Sequence, residues 1–192
     1  INLTNLGEFL NMKKVTRLLA TLSVVLSGTA YSQTYVEALY SATSITSNQS
    51  VGRIETKPDM IGLLAGYEMS PNLAFEGLFS IGLSGSDTTL NGSTQQSPVD
   101  TKIDRYFGVF VKPKMKLSEA TELFGRLGRV DGKTSSSTAT NSTTDTGSNW
   151  AYGVGANYQL TAKTYMTGSF LKTATKDGVK SDTLSVGVGY RY

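Results

Sequence analysis

The chain has 192 residues, 18 basic and 15 acidic, with no cysteine and no histidine. Without cysteine there is no disulfide framework, thiolate chemistry or cysteine zinc site. Without histidine the commonest general base and a frequent metal ligand are missing, which argues against most enzymes. The length suits one domain, and 20 glycines, 10 tyrosines and 7 phenylalanines favour β-structure.

The N-terminal stretch reads as an address rather than as part of a fold. Met12-Lys13-Lys14-Val15-Thr16-Arg17 is a positively charged start, and Leu18 to Leu26 is an apolar run too short to span a bilayer. Ala30 and Ser32 are small residues placed for cleavage after Ser32. Residues 12–32 are therefore expected to be a signal peptide, residues 1–11 an upstream extension, and 33–192 the mature domain. Losing Lys13, Lys14, Arg17 and Glu8 reduces 18 basic and 15 acidic residues to 15 and 14, a net charge of +1. A nucleic-acid binder would show a basic patch instead.

Eight alternating segments follow. Thr34–Ser44 sets Val36, Ala38, Tyr40 and Ala42 against Tyr35, Glu37, Leu39 and Ser41. Met60–Met69 sets Ile61, Leu63, Ala65 and Tyr67 against Gly62, Leu64, Gly66 and Glu68. Leu73–Leu83 opposes Phe75, Phe79 and Ile81 to Ala74, Glu76 and Ser80. In the fourth, Phe107, Val109, Val111 and Met115 face away from Tyr106, Gly108, Lys112 and Lys114. Thr121–Val130 is less regular, with Phe124 on the side of Glu122 and Arg126. The sixth sets Trp150, Tyr152, Val154, Ala156 and Tyr158 against Ala151, Gly153, Gly155, Asn157 and Gln159. Thr164–Thr173 alternates too weakly for its facing to be read. The last, Leu184 to Tyr192, has an apolar and aromatic face and a Ser-Gly-Gly-Arg face. Successive strand side chains point to opposite sides, and each segment is near the roughly 9–11 residues that a tilted strand needs to cross a bilayer.

The connections alternate in length. Ser70-Pro71-Asn72, Ser118-Glu119-Ala120 and Thr161-Ala162-Lys163 are short turns. Between them lie longer polar links near Ile45–Asp59, Ser84–Asp100, Asp131–Asn149 and Ala174–Lys180. The third has one alanine as its only apolar residue, a composition expected not to offset its ordering entropy. The pattern predicts an all-β fold: an eight-stranded antiparallel up-and-down transmembrane barrel with short periplasmic turns and long extracellular loops. The terminal strand is expected to close the barrel against Val36–Ala42.

Gly66–Gly82 (GYEMSPNLAFEGLFSIG) and Tyr152–Phe170 (YGVGANYQLTAKTYMTGSF) resemble the strand–turn–strand units of small outer-membrane barrels. That family includes OmpA-like transmembrane domains and opacity-type surface proteins, and the resemblance covers the whole mature chain. It implies the bacterial outer membrane as location and lipid, including lipopolysaccharide, as surroundings. It further implies recognition of the aromatic C-terminal strand by the barrel-assembly machinery, and adhesion or surface presentation through the loops.

The inward parity carries Glu37, Glu68, Glu76, Lys112, Lys114, Glu122, Arg126 and Arg191. An eight-stranded barrel is only wide enough for its own side chains, so these charges must pair or meet water. They form either a salt-bridged plug or the lining of a narrow channel for small solutes or ions. Arg191 is expected to meet Glu37 or Glu76. Tyr40, Tyr67, Trp150, Tyr158, Tyr190 and Tyr192 fall near outward strand ends, where aromatic rings favour the headgroup level. No nucleophile stands beside a base, and no catalytic, metal or cofactor site is read. The leading function is a non-enzymatic envelope and surface-presentation barrel. A channel, and a secreted lipocalin-like binding barrel with its apolar face inside, are the alternatives.

Overall fold

The computed structural model describes residues 33–49, 52–83, 88–90, 100–137, 142–176 and 179–192. The signal peptide and upstream extension expected over 1–32 lie outside them. Ten strands are described: Thr34–Gln49 (β1), Gly52–Thr56 (β2), Asp59–Ser70 (β3), Leu73–Gly82 (β4) and Thr88–Leu90 (β5), then Asp100–Lys116 (β6), Thr121–Ser137 (β7), Ser142–Gln159 (β8), Thr164–Lys176 (β9) and Val179–Arg191 (β10). Eight of them close antiparallel in the order β1-β3-β4-β6-β7-β8-β9-β10, with β10 returning to β1. The seam runs from Tyr35↔Arg191 through Ala42↔Leu184 to Ser47↔Val179, so the terminal strand closes on the first. Closure removes the open edges that a sheet cannot carry in lipid.

The three tight turns share one device. The side-chain oxygen of Ser70 accepts from the Asn72 amide at 3.3 Å. Ser118 accepts from the Ala120 and Thr121 amides at 3.3 and 3.0 Å, and Thr161 from Lys163 and Thr164 at 3.3 and 3.0 Å. A hydroxyl that bonds the backbone two or three residues on satisfies donors the ladder has released, which is why Ser and Thr open these turns.

The links at the opposite end are long in sequence, and most of their described residues are strand. β1 runs on to Gln49 and folds back into β2, pairing Ile45↔Thr56 through Gln49↔Gly52, and β2 pairs with β5. The Ser/Thr-rich tract, expected to be unable to offset its ordering entropy, is a continuous ladder from Asp131↔Ser148 to Ser137↔Ser142. The membrane-embedded part of β7 and β8 already aligns the two chains. Each further pair then closes without a new loop entropy. In the Ser84–Asp100 link only Thr88–Leu90 and Asp100 lie within the described residues.

The facing of the weakly alternating strand is settled by its partners. Gln159 stands opposite Tyr165 and Asn157 opposite Thr167, and opposite residues share a face. Tyr165, Thr167, Ser169 and Leu171 therefore point inward and are buried, while Met166 and Phe170 are exposed. Across the barrel the exterior is apolar: Val154 is 67% exposed, Leu184 57% and Leu123 38%. That is the reverse of a lipocalin-like barrel, whose apolar face must line its interior. An apolar band of this extent needs hydrocarbon, not water, around it.

A charge placed in this band tests the assignment. Val154→Arg should cost about 2–4 kcal/mol if the site lies near the bilayer midplane. Thr146→Arg, in the polar extension of β8, should stay within about 0.5 kcal/mol. Urea unfolding in lipid vesicles measures both, and equal costs would place the two residues in the same medium.

Candidate functional site

Four strands deliver the first charge cluster. Glu37 on β1, Glu76 on β4, Lys112 on β6 and Arg126 on β7 all point inward and are buried, with Glu37 at 0% and Lys112 at 1% exposure. The β6–β7 pairing is interrupted between Val111↔Leu127 and Lys114↔Phe124, where Pro113 has no N–H to contribute. Lys112 and Arg126 face each other at this interruption, and two neighbouring buried cations are tenable only with two carboxylates between them. Arg126 donates through Nε to Glu76 Oε2 at 2.5 Å and through Nη2 to Glu37 Oε2 at 3.0 Å. Its Nη1 reaches Ser169 Oγ at 3.1 Å. Lys112 Nζ lies 2.8 Å from Glu76 Oε1 and 3.6 Å from Glu37 Oε1. The four charges cancel.

Aromatic side chains complete the hydrogen bonding. The Tyr35 hydroxyl donates to Glu76 Oε1 at 2.7 Å, and the Tyr165 hydroxyl to Glu37 Oε1 at 2.9 Å. The Phe124 ring lies 4.2 Å from Lys112 Nζ and 4.7 Å from the Arg126 guanidinium carbon, so both cations meet its π face. Each of these rings is opposite a glycine: Tyr35↔Gly66, Phe124↔Gly155 and Tyr165↔Gly189. A Cβ at Gly66, Gly155 or Gly189 would run into the facing ring. The inward glycines are thus the floor on which the rings lie, which sets the hydroxyls at carboxylate distance.

A second cluster sits nearer the tight turns. Lys114 Nζ lies 2.6 Å from Glu68 and 3.4 Å from Glu122, and Arg191 Nη2 lies 2.9 Å from Glu122 Oε1. Arg191 also donates to Gln159 Oε1 at 2.9 Å and covers the Tyr165 ring at 4.6 Å. Its expected partners were Glu37 or Glu76, and the structure corrects this. Arg191 stands opposite Tyr35, two residues closer to the turns than Glu37, so Glu122 and Glu68 are within its reach. These four charges also cancel. The eight charged residues of the inward parity are therefore two stacked neutral quartets.

Beyond the first quartet, away from the turns, the lumen is uncharged and closely filled, with leucines beside buried hydroxyl pairs such as Ser41–Ser185 and Thr43–Thr183. Leu39, Leu64, Leu78, Phe110 and Leu171 surround a void of about 20 Å³ above Arg126, space for about one water. Among the described residues, any solute path would have to separate both quartets and pass this layer.

The outward aromatic residues fall at two heights. Tyr40 and Trp150 lie toward the extended end, and Tyr67, Tyr158, Tyr190 and Tyr192 toward the turns, as their strand positions require. Tyr67 donates to Gln33 at 2.8 Å, and Tyr190 and Tyr192 meet edge to face at 5.3 Å. The outer face carries Arg105 opposite Lys133, then Phe107 opposite Asp131, and then Arg129 opposite Trp150. Arg129 bonds Ser148 at 2.7 Å.

Tyr35, Phe124, Tyr165 and Ser169 complete the first quartet, and charge patterning alone does not reveal them. Tyr35 and Phe124 shared the inward parity and could have been read from it. For Tyr165 the signal was the tight turn, because Gln159 is inward and the two are paired across it.

A closed barrel with an apolar exterior, aromatic residues at both ends and a charged, filled interior is a transmembrane barrel of the bacterial outer membrane. The chain matches the outer membrane protein beta-barrel domain over residues 17–192 and belongs to that family. It is 26% identical over 139 residues to the attachment invasion locus protein of Yersinia enterocolitica, covering 72% of this chain and 75% of that protein. Its fold is similar to the attachment invasion locus protein of Yersinia pestis, whose crystal structure was solved in complex with the heparin analogue sucrose octasulfate. The TM-score is 0.60 at 21% identity, covering 83% of this chain and 98% of that one. Neisserial surface protein A is similar with a TM-score of 0.64 at 16% identity, covering 83% and 97%.

Arg126→Met leaves two buried carboxylates facing one lysine and should cost about 3–5 kcal/mol. Adding Glu76→Gln restores neutrality and should recover about 1–3 kcal/mol of this loss. Unfolding in urea, followed by Trp150 fluorescence, reads both, and additive losses would refute the coupling. The glycine floor has its own test. Gly66→Ala drives a methyl group into the Tyr35 ring and should cost about 1–3 kcal/mol. Gly77→Ala points into open space outside the wall and should be neutral or stabilising by up to about 1 kcal/mol.

Proposed function

We propose that this chain is a non-enzymatic surface protein of the outer membrane, serving adhesion and envelope integrity through the strand extensions it holds outside the cell. The observation that carries this reading is the pairing of β7 with β8 out to Ser137↔Ser142, above a lumen filled by its own neutral charge clusters. Nothing passes readily through such a barrel, while its outer end offers an ordered polar surface, and binding groups concentrate on segments held by a rigid scaffold. Similarity to a protein called an attachment invasion locus protein supports the same reading.

The partner on this reading is anionic. Arg105 and Lys133 are directly opposite on the outer face, with Asp131 and then Arg129 next along the same face of β7, so three cations meet one acid and the patch keeps a positive charge that an anion would offset. At the height of the outer-leaflet headgroups that anion is a phosphate of lipopolysaccharide, and higher up it is a sulfated ligand, chemically like the sucrose octasulfate in the crystal structure of the Yersinia pestis relative. The closing strand β10, with the aromatic residues Tyr190 and, just after it, Tyr192, is the segment we assign to the barrel-assembly machinery, and residues 12–32 to the export signal.

Immobilised heparin tests the anionic partner. Protein in nanodiscs should bind and be released by salt, and Arg105→Ala with Lys133→Ala should weaken binding roughly tenfold. Failure to bind at low salt, or an undiminished double variant, would remove this assignment. Attachment of expressing and deleted cells to glycan-coated surfaces then reads the adhesive role.

A further inference from the structure

The outer wall is not evenly filled. Across β6, β7 and β8 it carries an apolar dent of about 590 Å³, lined by residues including Pro113, Met115, Leu123, Gly125, Val154 and Gly155. Gly125 falls on the outward parity between Leu123 and Leu127 and has no side chain to cover the wall. A Cβ there would meet only Pro113 Cγ at 3.5 Å and the Gly153 carbonyl oxygen at 3.7 Å, so the space beside it is open. The β6–β7 ladder also skips the two pairs between Val111↔Leu127 and Lys114↔Phe124, so the strands lose their regular pairing behind the dent. A hollow of this kind forfeits dispersion contacts unless something fills it.

Depth and charge decide what fills it. Val154 stands opposite Gly125 and is four residues from Trp150 and four from Tyr158, aromatic residues that mark the two headgroup levels. The dent is therefore at mid-depth, where acyl chains end. On the same face of β7, Gly125 is followed by Leu127 and then Arg129. Arg129 is about 13 Å away, four residues at about 3.3 Å each, close to the roughly 15 Å of hydrocarbon in one leaflet. Past Arg129 come Asp131 and Lys133, with Arg105 opposite Lys133. Even with Asp104, the bulge residue beside Arg105, cations outnumber acids three to two. A second copy is the poorer occupant, because a two-fold pair through this face sets the same cations against each other.

We propose that the dent holds the end of one acyl chain of lipopolysaccharide, whose phosphate meets Arg105, Lys133 and Arg129. The chain descends from the cations over Leu127 and Val111, which are paired, and stops beside Gly125. Many lipids have a chain that fills the dent, and the cations select which lipid does so. This site rests on the anionic-partner reading above and adds to it a selection by chain reach: a chain must span from the cations to mid-depth.

NMR of the protein in nanodiscs of chain-deuterated phosphatidylcholine, doped with protonated lipid A, tests it. Cross-peaks from the terminal methyl groups of lipid A to the ¹³C-labelled methyl groups of Met115 and Val154 are compared with those to Leu184. Leu184 is as exposed as Met115, at 57% each, and lies in the same row of the wall through Val154↔Phe170 and Phe170↔Leu184. Cross-peaks stronger at Met115 and Val154 by roughly threefold or more support the site. Gly125→Leu fills the dent and should bring them down to the Leu184 level while heparin capture persists. Gly125→Ala, with a partial loss, serves where the leucine form does not fold. Arg105→Ala, Arg129→Ala and Lys133→Ala combined should abolish the preference as well. Equal cross-peaks at the three residues overturn the proposal, as does an equal preference for protonated phosphatidylcholine or an undiminished one in the folded variants. Contacts to a second copy's methyl groups in a mixed-label sample overturn it too. Heparin capture retained in any of these cases leaves the anionic partner standing and removes only the dent.

Discussion

A backbone N–H or C=O left unpaired in hydrocarbon costs several kcal/mol, and β10 is the strand that prevents this along an entire edge. Its ladder with β1 from Tyr35↔Arg191 to Ser47↔Val179 turns an open sheet into a closed wall. Closure also fixes parity. Because side chains alternate strictly, a one-residue slip anywhere around the wall exchanges the inside with the outside. Glu37, Glu76, Lys112 and Arg126 would then face lipid, where a cation costs about 2–4 kcal/mol at the midplane. The charges therefore oppose every misregistered barrel, whatever they contribute to the correct one.

Closure with eight strands also fixes the width, and the width dictates how the charges are arranged. A lumen of this size has no room for bulk water, so neutrality must be reached locally. The chain does this in two layers with opposite orders of supply. In the first, Lys112 and Arg126 are neighbours and draw Glu76 from the adjacent β4 and Glu37 from β1. In the second, Lys114 and Arg191 come from distant strands and share Glu122 and Glu68. Arginine holds the junction in each layer, since its planar fork serves two carboxylates at fixed angles where lysine offers a single point charge.

Much of this was legible in the chain because its main signal has a period of two. Alternation gave the eight strands of the wall, the facing of all but β9, and the charge set, and an aromatic terminal strand with an inward Arg191 gave the seam. Alternation is silent on which charge meets which. Arg191 pairs with Glu122 and Glu68 because of its height in the barrel, and height depends on the stagger between strands, a property of the assembled wall. The facing of β9 was hidden for a different reason. Thr164, Thr167, Ser169 and Thr173 are neither apolar nor charged, so the strand reveals its parity only through the inward Gln159 across the turn.

The Ser/Thr tract shows where composition misleads. Low hydrophobicity argues against order when a segment must fold alone, since it has no burial to set against its lost entropy. β7 and β8 do not begin alone. Their lower halves are held in register from Thr121↔Tyr158 to Arg129↔Trp150 by the closed wall, so the next pair up has no loop to close and only its own dihedrals to fix. Each added rung exchanges hydrogen bonds to water for hydrogen bonds across the ladder, a nearly balanced exchange. Threonine, with its restricted χ1, has little side-chain freedom to lose there. The extension thus persists because of what lies beneath it. Order in such a segment is a property of the wall that carries it rather than of its own composition, which is why composition alone pointed the other way.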